Sequence, residues 1–161
     1  MVSELDLDRL FWGVISTDAD FRRWVVGKTK FAHLNLELVT AEKWHQRWYR
    51  DPVTKRDSET DILLMFTEVG SGERYAIHIE NKPDHRRWEP LQFENYRKRA
   101  LDRREKWKYV DFQTALLASC GFIERHPNEA GHFDIRLTYE EVSKFVPAFS
   151  VDMGEIDTSE E

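Results

Sequence analysis

The segment from Asp61 to Lys82, DILLMFTEVGSGERYAIHIENK, decides how this chain is read. Residues 61–69 are rich in Ile, Leu, Met and Phe and read as a strand. Gly70-Ser71-Gly72 supplies a turn, and Tyr75 to Asn81 forms a second apolar run. Two such runs joined by a short glycine-containing loop pair as an antiparallel hairpin. Pro83 stops the second strand, because it has no N–H to give to a ladder. Alternate residues of a strand share a face. Ala76, His78, Glu80 and Lys82 therefore point one way, and Tyr75, Ile77, Ile79 and Asn81 the other. With the turn at 70–72, Asp61 and Glu80-Asn81-Lys82 meet at the open end of the hairpin.

Two carboxylates beside an ammonium group suit phosphodiester hydrolysis. Mg²⁺ is commonly held by one or two carboxylates, with water and substrate phosphate in its other positions. The metal acidifies bound water and offsets phosphate charge. A lysine beside it can orient or deprotonate the attacking water, or stabilise developing charge. The carbonyl oxygen of Asn81 is a further candidate ligand. A lone E-x-K on a strand is common by chance, since such pairs also form ordinary surface ladders. The pattern around it carries the weight: Ile77 and Ile79 lead an apolar strand straight into the charges, and a helix with its own polar pair follows.

Working outward, Pro90 to about Arg104 reads as that helix, with proline at its start, where the missing N–H costs nothing. Gln92 and Tyr96 are spaced i, i+4 and share one face. Upstream, Leu5 to Trp12 has helical spacing with Ser3 as N-cap, and Ala19 to Val26 follows as a second helix. Phe31 to Val39 alternates loosely and reads as an edge strand. Ala41 to Tyr49 has no clear assignment, and Asp51-Pro52 and Lys55 to Ser58 read as loop. Downstream, Tyr109 to Ser119 and Phe133 to Leu137 read as strands and Tyr139 to Phe145 as a helix.

The composition fits one domain. The chain has 161 residues, 40% of them hydrophobic, with six Trp and ten Phe, enough for a core. Residues 1–150 are expected to fold together, and 151–161 to be an acidic, disordered tail. No apolar run is long enough to span a bilayer. The N-terminus is acidic and the single cysteine, Cys120, has no internal partner. These point to a cytoplasmic protein without disulfides. Net charge is −6, which alone argues weakly against nucleic acid. The distribution matters more. The segment from Arg86 to Lys108 carries Arg86, Arg87, Arg97, Lys98, Arg99, Arg103, Arg104, Lys106 and Lys108 against four acids.

Taken together, Ser58 to Leu64, Ala76 to Lys82 and Gln92-Phe93-Glu94-Asn95-Tyr96 resemble the PD-(D/E)XK nuclease superfamily. The match is to its branch with an I-E-N-K strand end and a Q-x-x-x-Y helix. The likeness covers roughly residues 58–146, including Phe133 to Tyr139, which resembles the branch's last strand and closing helix. It implies an α/β, restriction-endonuclease-like fold: a central mixed sheet of four to five strands flanked by helices. It also implies a Mg²⁺-dependent deoxyribonuclease, with Mn²⁺ as substitute. Asp61 and Glu80 then resemble the metal ligands and Lys82 the catalytic lysine. Gln92 and Tyr96 resemble the pair that places the substrate strand. Glu4 matches, by order, a glutamate on the first helix that reaches the metal shell.

Other substrate contacts are suggested by position. His78 shares a face with Glu80 and lines the cleft in one reading, though a packed strand histidine is the commoner outcome. Arg97, with Lys98, Arg103 and Arg104, forms a basic helix surface that reads as a phosphate track or a solvated face. Trp44, Trp48 and Tyr49 are suited to stacking on nucleic acid or to a core. The histidines lack zinc-site spacing, and there is no phosphate-binding loop or dinucleotide fingerprint. A domain this small has little room for a separate DNA-reading module, so a homodimer or a partner subunit is expected. The competing reading is an inactive nucleic-acid-binding or protein-interaction module on the same fold.

Overall fold

In the computed structural model, residues 2–55, 57–84, 92–150 and 156–157 are described; for 46–49, 57, 58, 92–94, 156 and 157 this extends to the main chain only. Val2–Ser3 form a short strand, β1. Helix α1 spans Glu4–Ile15 and starts as its sequence predicts. The Ser3 hydroxyl accepts from the Asp6 N–H at 3.0 Å, and the Asp6 carboxylate accepts from the Ser3 N–H at 3.2 Å. This capping box satisfies two N–H groups that a helix start leaves open. Helix α2, Ala19–Gly27, is capped by Asp18, which accepts from Asp20 and Phe21.

The hairpin forms as expected and is longer than expected. Strands β2 (Leu36–Leu38) and β3 (His45–Arg50) precede β4 (Asp57–Glu68) and β5 (Arg74–Asn81). Gly70 and Gly72 take φ of 104° and 73° in the turn, a region open mainly to glycine. The register runs from Thr67 opposite Arg74 to Ile62 opposite Ile79. The polar stretch 57–60, of which 57 and 58 read as loop, is strand because β3 pairs with it, Arg47 facing Thr60. The edge strand expected over 31–39 shrinks to three residues. Ahead of it, Phe31 and Ala32 are bent into a turn by bonds to the hydroxyl and carbonyl of Thr29.

The rest alternates helix and strand. Helices α3 (Gln92–Asp102) and α4 (Arg104–Trp107) lead to β6 (Asp111–Ala118), parallel to β5. Helices α5 (Cys120–Arg125) and α6 (Pro127–Gly131) lead to β7 (Ile135–Thr138), parallel to β6. Helix α7, Tyr139–Val142, is shorter than the sequence suggests and passes through turns to Pro147. The fold is α/β. The mixed sheet is five strands wide in the order β2-β4-β5-β6-β7, with β3 sharing the outer edge of β4 with β2. Of the expected disordered tail, Ile156–Asp157 form a strand, β8, parallel to Val2–Ser3, and the remainder lies outside the described residues.

Both faces of the sheet are covered, which explains why β4 and β5 read as nearly continuous apolar runs. Ile62, Leu64, Phe66, Ile77, Ile79, Ala115 and Leu117 pack with Leu7, Phe11, Phe21, Val25 and Tyr139. Leu63, Met65 and Ala76 pack with Ala100, Tyr109 and Phe112 on the other face. Leu116 and Ala118 join Tyr96 and Phe122 there. No helix among the described residues is long and apolar enough to cross a membrane.

Candidate functional site

The hairpin register extends naturally from Ile62 opposite Ile79 to Asp61 opposite Glu80. Cross-strand partners share a face, so these two carboxylates and Lys82 lie on the α3 side of the sheet end. Asp61 keeps some exposed surface, but its carboxyl group is enclosed. Glu80 and Lys82 are buried, and the Lys82 Nζ lies 3.9 Å from Glu80 Oε1.

Burial pushes the Asp61 carboxyl well above the usual carboxylate range, and the charges of Glu80, Asp8 and Glu4 push it further. The Asn81 N–H, which donates to Asp61 Oδ2 at 2.9 Å, works the other way. Burial also raises Glu80, against the pull of Lys82, Tyr96, Asp61 and Arg99. The two carboxyls are near enough to perturb each other. Two like charges this close and this dry cannot both ionise at ordinary cost.

Helix α3 delivers Tyr96 to the same point. Its ring is buried, and its hydroxyl accepts from the Asp61 N–H at 3.2 Å and donates to the Ile79 carbonyl at 3.4 Å. Burial and the two carboxylates raise this phenol well above its ordinary value, so it stays a neutral donor. Gln92 is the first residue of α3, and its side chain lies outside the described residues.

The α1 side of the sheet contributes Glu4, which the sequence expects there, and Asp8, which it does not announce. Glu4 and Asp8 are one helical turn apart and both buried. Asp8 Oδ1 accepts from Asn81 Nδ2 at 2.8 Å, and its other oxygen lies 3.4 Å from His45 Nε2. Tyr139, at the start of α7, donates its hydroxyl to Asn81 Oδ1. Glu4, expected from order alone, does lie close enough for its charge to act on Asp61. Asp8 carried a signal: an acid four residues after Glu4, beside the apolar stripe of Leu7 and Phe11. A charge on an amphipathic helix ordinarily reads as solvated.

In the sequence Arg99 is likewise one of many basic residues. It is 1% exposed, and its guanidinium sits 4.3 Å over the Tyr96 ring. It donates to the Glu59 carbonyl and, at 3.1 Å, to the Thr60 hydroxyl. Thr60 in turn bonds His78 Nδ1 at 3.0 Å, and His78 Nε2 lies 3.2 Å from the Tyr109 hydroxyl. This buried chain runs along the face beneath α3 and steadies the strand just before Asp61.

Several expected substrate contacts are placed elsewhere. His78 is fully buried in that chain and faces no cleft. Arg97 is exposed, but its guanidinium is held by Asp134 at 2.9 and 3.1 Å. Lys98 is paired with Asp51. Trp44 stacks on Trp12 of α1, centroids 5.1 Å apart and planes 7° apart. The side chains of Trp48 and Tyr49 lie outside the described residues.

Among the described residues, no group of three or more His, Cys, Asp or Glu side chains is arranged to hold a metal ion. The donor set at the hairpin end is instead a pair, Asp61 and Glu80. A pair of carboxylates is a common protein contribution to a Mg²⁺ site, and mutual repulsion in a buried place favours a divalent cation. No family model, curated protein or solved structure matches the chain.

Proposed function

We propose that this chain is a metal-dependent nuclease of the PD-(D/E)XK type, hydrolysing phosphodiester bonds in DNA with Mg²⁺. The observation that supports it best is the carboxyl pair, Asp61 with Glu80, set beside the Lys82 ammonium at the open end of β4 and β5. The antiparallel β4–β5 hairpin, continued through α3 into parallel β6, is consistent with a restriction-endonuclease-like core.

Asp61 and Glu80 would hold the ion, with Glu4 as a neighbouring carboxylate and the Asn81 carbonyl as a further oxygen. When bound, the cation supplies Lewis-acid polarisation of the phosphate and a more acidic water. The protein's own groups do the rest. The Asn81 N–H orients the Asp61 carboxylate, and the Tyr96 hydroxyl ties Asp61 to the end of β5. Lys82 carries the positive charge beside Glu80, placed to orient the nucleophile and stabilise charge on the phosphate oxygens. Gln92, at the start of α3, is a candidate for contact with the substrate strand.

The test is direct. The protein with Mg²⁺ or Mn²⁺ should cut DNA, and Lys82→Ala should abolish cutting with the fold intact. Unchanged cleavage in that variant removes the lysine from the mechanism. A second reading is a non-hydrolysing nucleic-acid or protein-binding module on the same fold, and the burial of Lys82, 2% exposed, favours it. It predicts no Mn²⁺ binding in calorimetry. The nuclease reading predicts binding that Asp61→Ala removes. Sedimentation with and without DNA would show whether the working unit is a homodimer.

A further inference from the structure

We infer that Asp8 is a positioning residue, acting through Asn81 to hold the Asp61 carboxylate in place. The inference rests on the reading of Asp61 and Glu80 as a metal site. It is carried by one continuous set of bonds across the end of the sheet.

Asn81 lies between Glu80 and Lys82, so its side chain points to the opposite face, toward α1 and α7. There both ends of its amide are used. Nδ2 donates to Asp8 Oδ1 at 2.8 Å, and Oδ1 accepts from the Tyr139 hydroxyl. All three residues are buried. The same Asn81 donates its main-chain N–H to Asp61 Oδ2 at 2.9 Å. Fixing the side chain fixes the peptide plane, and the peptide plane aims the N–H at the carboxylate.

The geometry also explains the residue types. Position 81 must donate on one side and accept on the other, which an amide does and a carboxylate or an apolar group does not. Position 8 must accept. Position 139 must donate, and its phenol is pushed well above its ordinary value by burial and the charges of Asp8 and Glu4. Hydrogen-bond partners behind a ligating carboxylate are worth about 10-fold to 100-fold in metal affinity.

Two substitutions at position 8 separate positioning from charge. Asn in place of Asp keeps an oxygen that can accept from Asn81 and removes the charge, whereas Ala removes both. Mn²⁺ affinity is read by calorimetry on the full chain, with thermal melting in EDTA to confirm folding. Asp8→Asn should bind Mn²⁺ within about threefold of the native chain, and Asp8→Ala about 10-fold or more weakly. Tyr139→Phe, which deletes a single hydroxyl, should also weaken binding and decides the matter should Asp8→Ala fail to fold. Equal losses in Asp8→Asn and Asp8→Ala would overturn the inference, because they would make Asp8 a ligand or a charge. Native affinity in both Asp8→Ala and Tyr139→Phe, or in Tyr139→Phe when Asp8→Ala does not fold, would overturn it too. Absence of Mn²⁺ binding in the native chain would overturn instead the metal-site reading on which it stands.

Discussion

Asn81 donates its main-chain N–H to the Asp61 carboxylate at 2.9 Å across the open end of the hairpin, beside a second buried carboxyl, Glu80. The bond orients Asp61 without cancelling the repulsion. Asp61→Asn keeps an acceptor for that N–H and removes a charge. The metal-free protein should therefore gain stability on the order of 1 kcal/mol, or roughly 2–4 °C in melting temperature. Melting in EDTA at neutral pH checks the gain, and a lower melting temperature would contradict it. Stabilisation by Mn²⁺ should vanish in the same variant.

The pH dependence has a definite sign. The folded-state value of Asp61 is raised above the ordinary 3.8, so the folded chain binds more protons than the unfolded one. Its contribution is fully present below 3.8 and is lost as pH rises through the raised folded value. A divalent cation competes with the same proton. The melting shift produced by Mn²⁺ should thus grow as pH rises above 3.8, and Asp61→Asn should flatten that trend. A shift independent of pH in the native chain would count against the shared carboxyl pair as the binding place.

Arg99 is a buried cation whose partners would be left unsatisfied by its removal. Arg99→Met should cost about 2–4 kcal/mol in urea denaturation. Arg99→Lys should recover little, since an ammonium cannot serve the Glu59 carbonyl, the Thr60 hydroxyl and the Tyr96 ring with one planar group. Full recovery by lysine would show that charge alone matters there.

The loop between β3 and β4 is tied to α3 by Asp51. Its carboxylate bonds Lys98 and the N–H groups of Thr54 and Val53, which hold its pKa down to about 2. Stabilisation from this group is present above the ordinary 3.8 and lost as pH falls through about 2. Asp51→Asn should therefore narrow the stability difference between neutral and acid conditions, as followed by circular dichroism. An unchanged acid profile would remove the Lys98 tie from the account.

Much of the framework is legible in local sequence. The Ser3 cap, the helix from Ala19 and the glycine turn between β4 and β5 are short-range, and each carries its own residue signature. Strand β3 was not legible, because His45 to Arg50 is polar and aromatic. It becomes a strand through pairing with the front half of β4, itself too polar to announce one. Helices α5 and α6 are five or six residues each, too short for periodicity to stand out.

The site divides the same way. By itself the sequence determined that Asp61, Glu80 and Lys82 meet, because a hairpin of known turn brings its strand ends together through hydrogen bonds along two neighbouring strands. Only the tertiary structure decided what stands behind them. Asp8 on α1, Tyr139 on α7 and Arg99 on α3 reach the site from helices whose docking depends on the whole core. A buried charge on an amphipathic helix looks like a solvated one until the partner that satisfies it, here Asn81 or Thr60, is seen packed against it.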